Sequence, residues 1–202
     1  MIPPRTVTVA LTGASGLPYG LRLIECLISA GVRVWVLYSQ AAQVVAKQEM
    51  DIVLPSRPSE VKGWLQQRTS AETGMLEVYG REEWFAPAAS GSNPPDAMVV
   101  CPCSMGALAA IAQGMSDNLI ERAADVCIKE QRKLVLVPRE TPLSAIHLEN
   151  MLKLARLGVV ILPPAPGFYT HPQTVGDMVD FVVGRVMDQI SVPHTLTPRW
   201  GE

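Results

Sequence analysis

Positive charge is scarce and nowhere concentrated. The 202 residues carry 17 Lys and Arg against 19 Asp and Glu, a formal net charge of -2, with no basic run. That excludes a nucleic-acid partner held by phosphate neutralisation. No apolar run reaches the roughly 18 residues a membrane-spanning helix needs, so no membrane partner is expected. The opening Met1-Ile-Pro-Pro-Arg5 lacks the form of a signal peptide. Cysteine is sparse and wrongly spaced for a metal: one residue separates Cys101 from Cys103, while Cys26 and Cys127 fall in helically patterned segments. Reduced, packed thiols in a cytoplasmic protein are the expectation. His147, His171 and His194 share no spacing suited to a metal or a triad, and all three are read as structural. No repeat and no linker interrupts the chain, so residues 1–202 read as one domain, with the tail from about 192 to 202 contributing to subunit contacts.

What the chain has is apolar residues, at 48%, against only 18% charged. A large core under a thin polar skin points to subunit interfaces covering part of the surface. The organising stretch is Val7-Thr-Val-Ala-Leu-Thr-Gly13-Ala14-Ser15-Gly16. Its β-branched, apolar start reads as a buried parallel strand. Leu17, Leu21, Ile24 and Ile28 then follow at helical spacing. The turn between them is either a bare strand-to-helix corner or an anion site, where unpaired N–H groups and the helix dipole meet a ligand. It carries G-x-x-G, not the dinucleotide G-x-G-x-x-G and not a P-loop.

Further strands are expected at 33–38, 75–79, 96–101, 133–137 and 159–162. Ser39 caps a helix over about 40–48 that Glu49 closes, and a short helix is expected around Leu65. Residues 86–95 read as a functional or mobile loop. The strand at 96–101 breaks at Pro102, and a helix begins in the small residues that follow. Asn118 and Glu121 read as a capping box for a helix to about Glu130, with Arg122 and Lys129 on one face. Thr141-Pro142 reads as the N-cap and first residue of the next helix. Val175 to Ile190 marks the last amphipathic helix. Alternating strands and helices imply an α/β, Rossmann-like or flavodoxin-like three-layer sandwich with a mainly parallel sheet. Ligands in such folds sit at the carboxyl ends of the strands, where Ser15, Ser39, Ser104, Arg139, Glu140, Phe168 and Tyr169 are expected to converge.

Taken together, Thr12–Gly16, Ser90-Gly-Ser92, Cys101-Pro-Cys-Ser104, Arg122-Ala-Ala-Asp125, Lys129-Glu130, Val137 to Pro142, Pro163 to Tyr169 and Pro198-Arg-Trp200 resemble the UbiX-type flavin prenyltransferases. These belong to the homo-oligomeric flavin-containing Cys decarboxylase-like superfamily, and the resemblance spans essentially the whole chain. It implies transfer of a dimethylallyl group from dimethylallyl monophosphate to N5 and then C6 of reduced FMN, without a metal. The product, prenylated FMN, serves UbiD-type decarboxylases in ubiquinone biosynthesis or related decarboxylations. The resemblance puts FMN on Gly13, Ala14, Ser15, Ser39, Ser104, Met105, Gly106, Ala107 and Arg122. It puts the prenyl phosphate on Ser90, Lys129, Arg139, Glu140, Tyr169 and Arg185, with Glu49 and Trp200 reaching in and Trp84 beside the prenyl chain. It implies a dodecamer with sites between subunits. One departure stands out: the turn Ser104-Met-Gly-Ala107 ends in alanine where the family carries a hydroxyl, so one flavin hydrogen bond is missing or passes to water.

The chemistry agrees in part. A departing phosphate needs cations and donors, which Lys129, Arg139, Arg185 and Tyr169 provide. Glu140 among them acts as a general acid that holds its proton beside the anion, or else pairs with Arg139 or Arg122. Trp84 offers a π face to an allyl cation, or simply packs. Ser15 orients flavin N5 and relays a proton through Glu49, or caps a helix. Tyr169 is core, or part of a loop that Gly167 frees to close over ligand. Two other readings remain: an FMN-dependent decarboxylase of the same superfamily, and a non-catalytic FMN-binding protein.

Overall fold

A computed structural model describes residues 5–198 and 201. Six strands form one wholly parallel sheet: β1 (Thr6–Leu11), β2 (Arg33–Tyr38), β3 (Leu76–Tyr79), β4 (Ala97–Cys103), β5 (Lys133–Pro138) and β6 (Val160–Ile161). Their order is β3-β2-β1-β4-β5-β6, so the chain reverses its direction of growth between β1 and β4. This is the Rossmann order of the two architectures the alternation allowed. The strands are near-continuous Val, Leu and Ala because both faces are covered.

One face packs under α1 (Leu17–Ser29), α2 (Gln40–Met50), α3 (Pro58–Thr69) and α7 (Val175–Gln189). Leu21 and Ile24 of α1 meet Val182 and Val186 of α7 in that layer. The other face packs under α4 (Met105–Ala112), α5 (Leu119–Lys129) and α6 (Ala145–Arg156), through Leu108, Ile120 and Leu154. Each such fully buried side chain contributes about 1.5–3 kcal/mol of transfer free energy. Gly20 lets α1 lie directly on β4, since a Cβ there would come 2.2 Å from the carbonyl oxygen of Cys101.

Several local expectations need correction. Thr141-Pro142 does not open α6: that peptide is cis, and Ser144 is the N-cap, accepting from the His147 backbone N–H while His147 reaches back to the cap. The β4 strand does not stop at Pro102. It runs through the cis Cys101-Pro102 peptide to Cys103, with a register shift against β5. Ser15 is not a helix cap, because Gly16 occupies that position in α1 at φ 107 with no side-chain cap. Glu49 is one residue short of the end of α2, and the expected capping box of α5 is half formed. Asn118 accepts from the Ile120 and Glu121 N–H groups, but the Glu121 carboxylate takes the Asp117 N–H and the Asn118 amide instead of the cap's own N–H.

Candidate active site

The carboxyl ends of β2, β1, β4 and β5 are tied edge to edge by backbone and hydroxyl bonds. Ser39 N–H donates to the Leu11 carbonyl at 3.0 Å, and Arg139 N–H donates to the Cys103 carbonyl at 3.2 Å. Between them, Thr12 Oγ1 donates to the Pro102 carbonyl at 2.7 Å and accepts the Ser104 N–H at 2.8 Å. Thr12 therefore clamps the two loops that flank the reversal point. Thr12 opens one of the motifs of the resemblance, but no local signal marks the clamp, because a threonine ending an apolar run reads as one more strand residue.

A cleft of about 390 Å³ opens there, within the size range of small-molecule sites. Of the residues expected to touch flavin, Gly13, Ser39, Ser104, Gly106 and Ala107 line it. Ser39 caps α2 by accepting the Ala42 N–H, and Ser104 caps α4 by accepting the Ala107 N–H. The N-termini of α2 and α4 therefore face one opening, beside that of α5, an arrangement that favours an anion. Gly13 is required by packing: a Cβ would lie 2.3 Å from that of Ala41 at the start of α2. Ala107 presents a methyl to the cleft, so the missing hydroxyl is real.

Ala14, Ser15, Met105 and Arg122 do not line the cleft. Ala14 is buried, and Met105 packs on the α4–α5–α6 layer. Arg122 donates from Nε to the Ala89 carbonyl at 3.0 Å and pairs with Asp125 at 3.0 Å. Ser15 is half-buried beside Gly16, whose N–H donates to the Glu49 carboxylate at 3.0 Å. Tyr38, Gln40, Arg81, Asn118 and Glu121 also line the opening. Tyr38, Gln40 and Arg81 stand at the ends of β2 and β3, so the strand-end rule nominates them; Asn118 and Glu121 carry no signal beyond their capping role. Burial pushes the Tyr38 phenol above its ordinary value, helped by Glu83 and Glu60. Its hydroxyl is already committed to the Ser56 carbonyl.

A flavoprotein family model matches residues 1–187. The chain is 54% identical over 202 residues to the flavin prenyltransferase UbiX of Pseudomonas aeruginosa, covering 100% of this chain and 97% of that one. The chain belongs to the UbiX flavin prenyltransferases. Its fold superposes on AnUbiX in complex with FMN and dimethylallyl pyrophosphate with a TM-score of 0.87, at 41% identity over 98% of both chains. It also superposes on a dodecameric FMN-dependent UbiX-like decarboxylase from Escherichia coli with a TM-score of 0.84, at 42% identity over 98% of this chain and 100% of that one.

The second group of residues expected from the UbiX resemblance is carried by the 90–92 loop, the ends of α5 and β5, the turn after β6, and α7. Arg139 and Glu140 are exposed after β5, and neither forms an ion pair among the described residues. The expected alternative of a Glu140 pair with Arg139 or Arg122 is absent: Glu140 Oε1 accepts the Thr141 N–H, and Arg122 goes to Asp125. At the end of α5, Lys129 pairs with Glu130, whose carboxyl it holds below the usual range. The loop Ser90-Gly-Ser92 lies against that pair, with the two serine hydroxyls 2.8 Å apart.

Tyr169 is 52% exposed after β6, its ring edge-on to Phe181 of α7 at 5.8 Å between centroids. Arg185 follows Phe181 by one turn on α7 and pairs with Asp188 at 2.7 Å. Trp84 is 45% exposed beside a fully exposed Phe85. Trp200 lies outside the described residues. Among the described residues, no cluster of His, Cys, Asp and Glu could hold a metal ion, and no helix is long and apolar enough to cross a membrane.

Proposed function

We propose that this chain joins the dimethylallyl group of dimethylallyl monophosphate to N5 and C6 of reduced FMN, releasing prenylated FMN. The observation that carries the reading is the cleft between two helix N-termini at the β1/β4 reversal, in a chain whose full-length relatives are named flavin prenyltransferases. FMN is bound as a substrate by the backbone of 13–15, Ser39, the turn 104–107 and Arg122. Ser90, Lys129, Arg139, Tyr169, Arg185 and Trp200 hold the prenyl phosphate. Glu140 gives its proton to the bridging phosphate oxygen as the allylic C–O bond breaks, so the leaving group departs as hydrogen phosphate and not as the trianion. The Trp84 ring faces the developing allyl cation, an attraction of about 2 kcal/mol when desolvated. Ser15 and Glu49 move the proton lost on ring closure.

In this reading the groups meet in sites between subunits. Ile146, Leu148, Leu152 and Leu157 are exposed on or beside α6, and a second copy of the chain covers such a face better than water does. We assign a homo-oligomer of the dodecameric kind, working in the cytoplasm, with a UbiD-type decarboxylase as recipient of the product. The deciding experiment mixes purified protein with FMN, dithionite and dimethylallyl monophosphate, then weighs the released flavin. A gain of one prenyl group supports the transferase. Unchanged flavin refutes it and leaves an FMN-dependent decarboxylase or a flavin carrier, which turnover of a carboxylic acid to carbon dioxide separates.

A further inference from the structure

Beyond α7 the chain turns back on itself. Val192 N–H bonds to the Met187 carbonyl, and residues 193–196 cross the last turns of the helix. The imidazole of His194 is pressed onto Gly184, where a Cβ would sit 2.9 Å from its Cε1. With only 7% of the side chain exposed, the ring is fixed on both edges. Nδ1 accepts the Leu196 N–H at 3.3 Å, so the proton of the neutral ring resides on Nε2. Nε2 lies 3.2 Å from Asp188 Oδ1 and donates to it. The other oxygen, Asp188 Oδ2, accepts from Arg185 Nη1 at 2.7 Å. Asp188 thus stands between a buried imidazole and a guanidinium that is 53% exposed on the Phe181 face where Tyr169 packs.

We propose that His194 is a positioning residue for the prenyl-phosphate site, acting through Asp188 to set the orientation of the Arg185 guanidinium. The inference rests on the reading that Arg185 binds the phosphate. A long, half-exposed arginine samples many rotamers, and a fork aimed at phosphate works only from one of them. An immobile ring on the far oxygen adds to the order of the Asp188 carboxylate, and the carboxylate passes that order to Arg185. The arrangement parallels the outer-shell carboxylates that orient ligand groups in metal sites.

The test is steady-state kinetics on the assembled enzyme, with His194→Ala and with His194→Leu, which fills the space without a donor. His194→Gln restores an N–H near the position of Nε2. In both donor-less variants KM for dimethylallyl monophosphate rises about tenfold, the loss expected for one charge-assisted bond. In the same variants kcat and FMN affinity stay within about twofold. His194→Gln recovers most of the KM. In an Arg185→Ala background the His194 substitutions add nothing, because their effect passes through the missing guanidinium. Multiplicative effects in the double variant, or a glutamine variant no better than leucine, overturn the proposal. If Arg185→Ala raises KM while the His194 variants leave it unchanged, the positioning role alone is wrong. If Arg185→Ala leaves KM unchanged, the phosphate reading of Arg185 fails and takes the proposal with it.

Discussion

The carboxylate of Glu49, on the last turn of α2, accepts the backbone N–H of Gly16 at 3.0 Å at the first turn of α1. That contact places a carboxylate against the residue that follows Ser15 and joins the loop after β1 to α2. An amide in the same place keeps an oxygen for the Gly16 N–H but cannot accept and release a proton. Glu49→Gln is therefore expected to keep flavin affinity and lose about tenfold or more of turnover. Glu49→Ala should lose both. Titration of the flavin fluorescence alongside product formation measures the two separately; equal turnover of wild type and Glu49→Gln would exclude the proton role.

Thr12 carries a second prediction. The residue is 3% exposed, and its hydroxyl has both hydrogen-bonding roles in use, toward the Pro102 carbonyl and the Ser104 N–H. Thr12→Val preserves the shape and strands the Ser104 N–H without its acceptor, a loss of about 1–3 kcal/mol. Flavin binding should weaken as well, since Ser104 then loses its anchor at the cleft. Urea unfolding with and without FMN distinguishes the two effects, because a ligand-linked term appears only in the second.

How much of this was legible beforehand depends on how local the cause is. Ser39 and Ser104 stand where an apolar strand gives way to helical spacing, so their capping role and their place at the cleft follow from neighbours in sequence. Thr12 acts across the sheet edge, on partners fixed only by strand order, and its neighbours in the chain do not announce those bonds. Thr141-Pro142 misleads for another reason: its residue types suit a helix start, yet Ser144, three residues on, has the better partner in His147. Lys129, Arg139, Tyr169 and Arg185 were nominated by family resemblance and by their charge or donor chemistry, since α5, β5, the turn after β6 and α7 carry them and no local pattern links the four.

Gly91 gives a third prediction. A Cβ there would come 2.2 Å from Glu130 Oε1 and 2.6 Å from Lys129 Nζ, the flexible ends of two side chains. Gly91→Ala is expected to fold normally, with Tm within about 2 °C of wild type, since those ends can yield. Their yielding displaces the Lys129 ammonium. KM for dimethylallyl monophosphate should rise several-fold while FMN affinity holds. A drop in FMN affinity of the same size would place the Ser90–Ser92 loop on the flavin instead.

The four thiols give a prediction in pH. Burial pushes Cys103 and Cys127 up to about 12 and Cys26 up to about 11, from an ordinary 9.0, and raises Cys101 as well. A thiol whose folded value is raised stays neutral in the native state while the unfolded chain ionises. Stability from this source is complete below about pH 9 and falls as pH climbs from there toward 12. Native protein at pH 8 should resist iodoacetamide at all four positions, and urea-unfolded protein should label fully, because only the exposed thiolate reacts. Between pH 9 and 10.5 the urea midpoint should decline, with labelling of the native state tracking that decline. Rapid alkylation of Cys101 or Cys103 at pH 8 without loss of the fold would mean that the β4 end, beside the cleft, opens in solution.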